Sequence, residues 1–471
     1  MTENVTTRRS FLQAAAAIPL GFAGLHNFLA GRVRGAEAMP PRIGFGPLLP
    51  DPNGILELPS DFSCRVISRV GERMDDGLFV PGDPDGMAAF PGPSGTTVVI
   101  RNHELTPYQK YASPFGKENK LLSRIPRSSF YDYGKGEFPC IGGTTTLVYD
   151  TEKCLLKKQY LSLAGTINNC AGGPTPWNTW ITCEETEQRS EGALEKDHGY
   201  AFEVPARPDG QLAKPLPLTA MGRFRREAVA VDPRSSIIYQ TEDVSDGLIY
   251  RFIPTSPGEP IKGGKLQALA VRDKKGLDAR NWTDLRTGEV DSPVPPGEPM
   301  AVEWIDLDEV HAPKNDLRIR GFEKGAARFA RAEGMWFGRN CVFFCCTDGG
   351  RTKTGQIWRY TPSLVEGTPA EADHPGSLQL FLEPNDSSLL QNGDNITVAP
   401  WGDLFVCEDG PGEQFLVGIT PEGSLYKFAR NVADTSEFAG AVFSPDGSTL
   451  FVNLQNTGLT IAITGPWRSS V

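Results

Sequence analysis

The sequence predicts an all-β fold, a six-bladed β-propeller, and three observations carry that prediction. The 471 residues include 51 Gly and 39 Pro beside 25 Phe, 8 Trp and 11 Tyr, enough apolar material for a large core cut by many turns, which favours short strands over long helices. A seven-residue unit recurs six times, and in five copies a Pro stands six residues after its first position. Further β-prone runs follow each copy, and six four-stranded units in series are the signature of a six-bladed propeller.

Taken in order, the chain opens with a twin-arginine export signal over residues 1–38. Thr7-Arg8-Arg9-Ser10-Phe11-Leu12-Gln13 precedes an apolar run over 14–30, and Ala36-Glu37-Ala38 offers a small-x-small cleavage site. No later stretch approaches the ~18 apolar residues of a membrane span, so a soluble periplasmic or secreted protein, exported folded by the twin-arginine machinery, is expected. Residues 39–84 read as a linker with a strand at 62–69, and residues 85–471 as the propeller. The repeated units are Asp85-Gly-Met-Ala-Ala-Phe-Pro91, Cys170-Ala-Gly-Gly-Pro-Thr-Pro176, Glu227-Ala-Val-Ala-Val-Asp-Pro233, Glu333-Gly-Met-Trp-Phe-Gly-Arg339, Asp394-Asn-Ile-Thr-Val-Ala-Pro400 and Ala439-Gly-Ala-Val-Phe-Ser-Pro445.

Second strands are expected at 98–104, 179–185, 237–243, 342–348, 403–409 and 449–455. Third strands fall at 144–149, 199–204, 248–253, 356–361, 415–420 and 459–464. Fourth strands follow at 157–163, 211–218, 265–271, 377–382 and 424–429. The sixth copy ends after its third strand, so the strand at 62–69 is expected to supply its outer strand and close the ring. The insertions at 105–139 and 255–331 are expected as loops over one face, where functional loops tend to sit.

A net charge of -11 with 47 Lys plus Arg argues against a general nucleic-acid or anionic-membrane surface and suits cation binding. The histidines, His26, His103, His198, His311 and His374, form no zinc-ligand spacing. Nine cysteines leave at least one thiol outside any intramolecular disulfide set. Gly349-Gly-Arg-Thr-Lys-Thr-Gly355 lacks the ending of a phosphate loop, and Ser387-Ser388 lacks the context of a serine nucleophile.

In a propeller the first strand of each blade lines the channel, so equivalent positions form a ring. The first positions are Asp85, Cys170, Glu227, Glu333, Asp394 and Ala439, of which five offer a metal ligand. Chance gives Asp, Glu or Cys at roughly one position in seven. Singly each reads as a strand-end residue capping a turn, but together they would repel unless cations neutralised them. The second strands add Glu104, Glu184, Glu185, Glu242, Asp243, Asp348, Glu408 and Asp409 to the same face. That many oxygens suggest several ions, including hard ones such as Ca²⁺, whereas the Cys170 thiolate suggests a transition metal. Such a centre suits an oxyanion substrate such as phosphate. Arg331, two residues before Glu333, is placed to grip it bidentately, the alternative being a solvated or ion-paired arginine.

Arg101-Asn-His-Glu104, the segment from Asn169-Cys170 through Trp177 to Thr182-Cys-Glu-Glu185, Arg226-Glu-Ala228, Glu333-Gly-Met335 and Asp394-Asn-Ile396 resemble the PhoX family of secreted bacterial alkaline phosphatases. The resemblance implies a six-bladed propeller that hydrolyses phosphate esters at an iron (Fe³⁺) and calcium cluster. Cys170, Glu227, Glu333 and Asp394 would ligate iron or bridge it to calcium, Glu104 and Glu185 would lie on the calcium side, and Arg331 would hold phosphate. Asp85 and Glu184 rest on the ring argument. Asn178 departs from the family, which more often has Gly after the Trp. The expectation is a monomeric metal-dependent phosphatase acting on small phosphate esters, phosphomonoesters above all, with no nucleic-acid partner and no membrane contact once the signal is removed. The rivals are a calcium-dependent lactonase or esterase, which has no use for the Cys170 thiolate, and a non-catalytic calcium-binding propeller.

Overall fold

A computed structural model describes residues 43–468. The expected export signal lies outside the described residues. Among the described residues strands dominate, joined by short 3-10 turns and one α-helix, Leu317–Glu323. Six antiparallel meanders follow one another, and their first strands are Pro84–Pro91, Asn169–Pro174, Arg226–Val231, Ala332–Gly338, Gly393–Val398 and Phe438–Phe443. These first strands neighbour one another in cyclic order, the last against the first, around a common axis. The arrangement is propeller-like and is held in five hydrogen-bonded sheets of six, three, nine, four and four strands.

Three departures from six uniform four-stranded units have local causes. The expected strand at 211–218 is absent, and its place is marked by a single bridge between Phe202 and Pro217. Pro215 and Pro217 remove two of the N–H donors a ladder needs, so that sheet stops at three strands. The stretch 255–331, expected as loop, contains the strand Met300–Asp306. It pairs with Gly264–Val271 and, through Met300 and Ala301, with Ser377–Leu382, which joins two meanders into the nine-stranded sheet. Met300 and Val302 are buried and alternate with the more exposed Ala301 and Glu303, a short strand period inside a segment otherwise rich in Pro and charge. The expected linker likewise contributes Leu56–Pro59, whose first residues pair with Leu425–Asn431.

Ser63–Arg69 pairs antiparallel with Leu459–Thr464, so the two ends of the described chain share one sheet. Phe45 and Phe62 from the N-terminal side pack edge-on against Trp467, with Trp401, Phe428 and Phe443 around them. All nine cysteines are free thiols, most of them in the hydrophobic clusters.

Tight packing at the axis depends on small residues. A Cβ on Gly334 would come within 2.6 Å of the Asp394 carbonyl oxygen, and one on Gly86 within 2.7 Å of Ala171 Cα. Neighbouring inner strands therefore touch backbone to backbone. The channel they enclose is nearly filled, with about 20 Å³ left between Met87, Met335, Trp336, Ile396 and Ala441.

Candidate metal centre

Every inner strand is irregular at the same place. Its ladder register shifts between Pro84 and Met87, Asn169 and Gly172, Arg226 and Val229, Ala332 and Met335, Gly393 and Ile396, and Ala439 and Val442. A bulge frees residues from the pleat and re-aims their side chains. Asp85, Cys170, Glu227, Glu333 and Asp394 each lie within such a bulge, and all five are buried. In this way six copies of one backbone defect turn strand residues toward a shared space above the plugged channel.

The ligand atoms come together as a continuous arc. Asp85, Glu104 and Cys170 form one group, Cys170, Glu185 and Glu227 a second, and Glu227, Glu333 and Asp394 a third, with the ligand atoms of each group within 4.8 Å of one another. Cys170 and Glu227 are shared between neighbouring groups. Cys170 Sγ lies 3.4 Å from Asp85 Oδ2. Gln455 Nε2 donates to Asp85 Oδ2 at 2.7 Å and to Glu104 Oε2 at 3.1 Å, so the sixth inner strand, which carries Ala439, is served by an amide from its own second strand.

The second strands supply only one of their two terminal acids. Glu184, expected as a ligand, turns away from the arc. Its Oε1 accepts from His198 Nδ1 at 2.6 Å and from Ile167 N at 3.1 Å, and its Oε2 from Gly199 N at 2.9 Å. Glu242 accepts from Leu248 N and the Tyr250 hydroxyl, and Glu408 from Gln391 N, Phe415 N and Lys427. Adjacent residues on an extended chain face opposite sides. The first acid of each Glu-Glu or Glu-Asp pair thus pins the following strand, while the second, Glu185, Asp243 or Asp409, interacts with the charges of the centre.

Burial, reinforced by neighbouring carboxylates, pushes Asp85, Glu185, Glu227 and Glu333 well above the ordinary range, Glu104 up to about 7 and Asp394 up to about 8. Burial and the Asp85 charge likewise lift the Cys170 thiol. Glu437, not anticipated from sequence, is pushed up to about 11 by burial and by Asp394, Asp409 and Asp85. Among the described residues, Asp85 Oδ1, both Glu227 oxygens and Asp394 Oδ1 are buried without a hydrogen-bond partner. Orphaned oxygens of this kind cost about 1–3 kcal/mol each, more when charged, and cations among them reverse both that cost and the shifts. The donor set, carboxylates with one thiol, fits metal ions.

Two arginines border the arc. Arg331 Nε donates to Asp243 Oδ1 at 2.9 Å, and its Nη2 lies 2.7 Å from Glu333 Oε1, an ion pair without hydrogen-bond alignment. Its backbone is held at φ +50°, a left-handed conformation that non-glycine residues adopt at a cost and that clusters at functional sites. Burial opposes the Arg331 charge, but Glu333 and Asp243 hold it firmly protonated. Arg225 is the counterpart that sequence reasoning missed. It donates from Nη2 to Glu185, lies 3.6 Å from Asp243, and keeps a buried Nε without a partner. The signal was present, because Arg225 precedes Glu227 by two residues, as Arg331 precedes Glu333.

Asn178, the departure from the family pattern, has φ +61°, the conformation Gly would favour and Asn tolerates, so the turn is kept. A cavity of about 530 Å³ lies elsewhere, between outer strands, lined by Arg251, Lys265, Arg272, Trp304 and Glu371. Its buried cation Arg251 is already paired with Glu366 and Glu371.

The family model of the alkaline phosphatase PhoX matches residues 43–152 and 149–458. Among solved structures the chain is similar to Pseudomonas fluorescens PhoX in complex with vanadate, a transition state analogue, at 18% identity over 90% of this chain and 97% of that chain, with a TM-score of 0.65. A weaker likeness, 13% identity over 90% of this chain and 100% of that chain with a TM-score of 0.40, is to a gluconolactonase of Xanthomonas campestris. No curated protein matches the sequence. Since the two matched segments together span nearly all the described residues, the chain belongs to the PhoX alkaline phosphatase family.

Proposed function

We propose that this phosphatase hydrolyses phosphomonoesters at an iron and calcium cluster held by Asp85, Glu104, Cys170, Glu185, Glu227, Glu333 and Asp394. The observation that carries the reading is the arc of three ligand groups sharing Cys170 and Glu227, with orphaned oxygens pointing into it. A thiolate favours a transition metal such as Fe³⁺, and surplus carboxylates favour Ca²⁺. The ions, when bound, supply positive charge that polarises the phosphoryl oxygens and activates the attacking oxygen.

The chain's own groups do the rest. Asp243 orients Arg331 through Nε and Nη2, and Glu333 also meets Nη2, which leaves Nη1 to meet an anion. Arg225, tied to Glu185, approaches from the next blade. Two guanidiniums directed at one dianion place it over the arc and strengthen their bonds as charge moves onto the equatorial oxygens. The filled channel beneath closes the opposite route, so substrate enters from the face that carries the long insertions.

The cyclic contact of six inner strands supports six blades, with the nine-stranded sheet counted as two blades joined by Met300–Asp306. The twin-arginine pattern supports export of a folded, metal-loaded protein to the periplasm or beyond. Among the described residues no helix is long and apolar enough to cross a membrane. The test is turnover of a chromogenic phosphomonoester and a matching diester, with elemental analysis of the same preparation. Monoester hydrolysis with iron and calcium present is expected; faster diester hydrolysis, or activity without iron, would overturn the assignment.

A further inference from the structure

Behind the arc, on the far side of the strand that carries Glu184, lies a second group of metal-binding side chains. Asp132 and Cys140 come from the insertion after the first blade's second strand, and His198 from the loop before Ala201–Pro205. All three are fully buried, and their ligand atoms lie within 4.8 Å of one another. The two faces of the imidazole are treated differently. Nδ1 meets Glu184 Oε1 at 2.6 Å, a tight charge-assisted bond that fixes the ring. Nε2 stands 3.3 Å from Asp132 Oδ2 and 4.0 Å from Cys140 Sγ.

Those two separations are long for hydrogen bonds to an ion and close to the edges of a tetrahedron. Ligands at zinc-like bond lengths stand about 3.3 Å apart for nitrogen and oxygen and about 3.6 Å apart for nitrogen and sulfur. A histidine held at one nitrogen by a carboxylate and offering the other to a metal is the usual outer-shell arrangement. The Asp132 carboxylate is itself fixed, by Gly134 N on one oxygen and by Glu195 N and Lys196 N on the other. Without a metal the same residues would form a buried ion triad: burial opposes the His198 charge, but Glu184 and Asp132 raise its pKa well above the ordinary value. An ion triad of that kind should close on both carboxylates at 2.7–2.9 Å, and only the Glu184 side does so.

We propose that Asp132, Cys140 and His198 bind a divalent transition ion of the zinc class, separate from the catalytic centre, with Glu184 orienting the histidine. The ion fastens two loops of the substrate-facing side to the strand end that carries Glu185. Its role is structural, and the proposal does not rest on the phosphatase assignment.

The test uses the full chain purified without a histidine tag, as wild type, Cys140→Ala and Cys170→Ala. First-row metals and calcium are counted per chain, and zinc-edge absorption is recorded for the wild type. Cys140→Ala is expected to lose about one equivalent of zinc with iron and calcium unchanged, while Cys170→Ala loses iron and keeps the zinc. The wild-type spectrum is expected to show one sulfur at about 2.3 Å. Zinc absent from the wild type, equal zinc in wild type and Cys140→Ala, or zinc without a sulfur neighbour would overturn the proposal. Should Cys140→Ala fail to accumulate, the wild-type zinc count and spectrum decide it alone.

Discussion

At the scale of single residues, neighbouring acids are sorted by the direction they face. Glu184 turns into the blade and Glu185 toward the arc, and on the proposed reading only Glu185 is a ligand. Glu184→Gln is expected to lower stability by about 3 kcal/mol, since it weakens a buried carboxylate network. Glu185→Gln should lower calcium content and activity, with little change in Tm at pH 5, where the buried acids of the centre are stable without cations. Equal Tm values for the two variants, measured by calorimetry, would contradict the division. Arg331 makes the second prediction at this scale. Arg331→Ala should reduce kcat/KM by roughly 30- to 1,000-fold at unchanged metal content, and Arg331→Lys should recover only part of that, because it keeps the charge without the fork. Indistinguishable steady-state rates would make Arg331 an ion-pairing residue of the rim. The ring of first positions was readable from sequence, since it needs only a repeat register. The choice within Glu184-Glu185 was readable in principle from strand alternation. Arg225 and Glu437 were harder, as neither sits at a repeated ligand position, although both share the offset of Arg331, two residues before the first position of a copy.

At the scale of elements, the inner strand with its bulge is the working unit. Its six copies were found within two residues of their observed bounds, because a Pro at a fixed offset and an alternating apolar face mark them. The bulges themselves left no mark that hydrophobic period could show. Strands at 211–218 and 300–306 were misjudged for opposite reasons, the first because prolines override an apolar pattern and the second because a real period sits within a long polar insertion. A small residue follows four of the five inner-strand acids and thiol, Gly86, Ala171, Ala228 and Gly334, and sets the spacing of neighbouring bulges. Gly334→Ala would drive a methyl group to within 2.6 Å of Asp394 O, and the inner strands must part to admit it. The expected result is a loss of about 1–3 kcal/mol in stability together with reduced iron, because Glu333 and Asp394 separate. Full metal content with a lowered Tm would mean that strand spacing does not set ligand geometry.

At the scale of the whole molecule, a ring of strands gathers acids that no single sheet could bring together, and on the proposed reading cations offset their repulsion. In the metal-free protein, carboxylates with ordinary values of 4.5 and 3.8 are raised to about 7 at Glu104 and about 8 at Asp394. Protonated forms are favoured by the fold, so stability is undiminished below about pH 4, falls as pH rises through the window to about 8, and stays low above it. Calorimetry of protein stripped of both iron and calcium should therefore show Tm falling from pH 5 to pH 8, with the two ions restoring most of the loss at the upper end. A metal-free Tm independent of pH would contradict this. The central claim, that inner-strand residues from several blades hold one mixed metal cluster, is tested most directly at Cys170. The measurement is iron and calcium per chain, with the visible absorption spectrum, in wild type and Cys170→Ser. The account predicts that Cys170→Ser folds with wild-type Tm at low pH but loses its iron and its thiolate-to-iron absorption band. Full iron content and an unchanged spectrum in Cys170→Ser would contradict it.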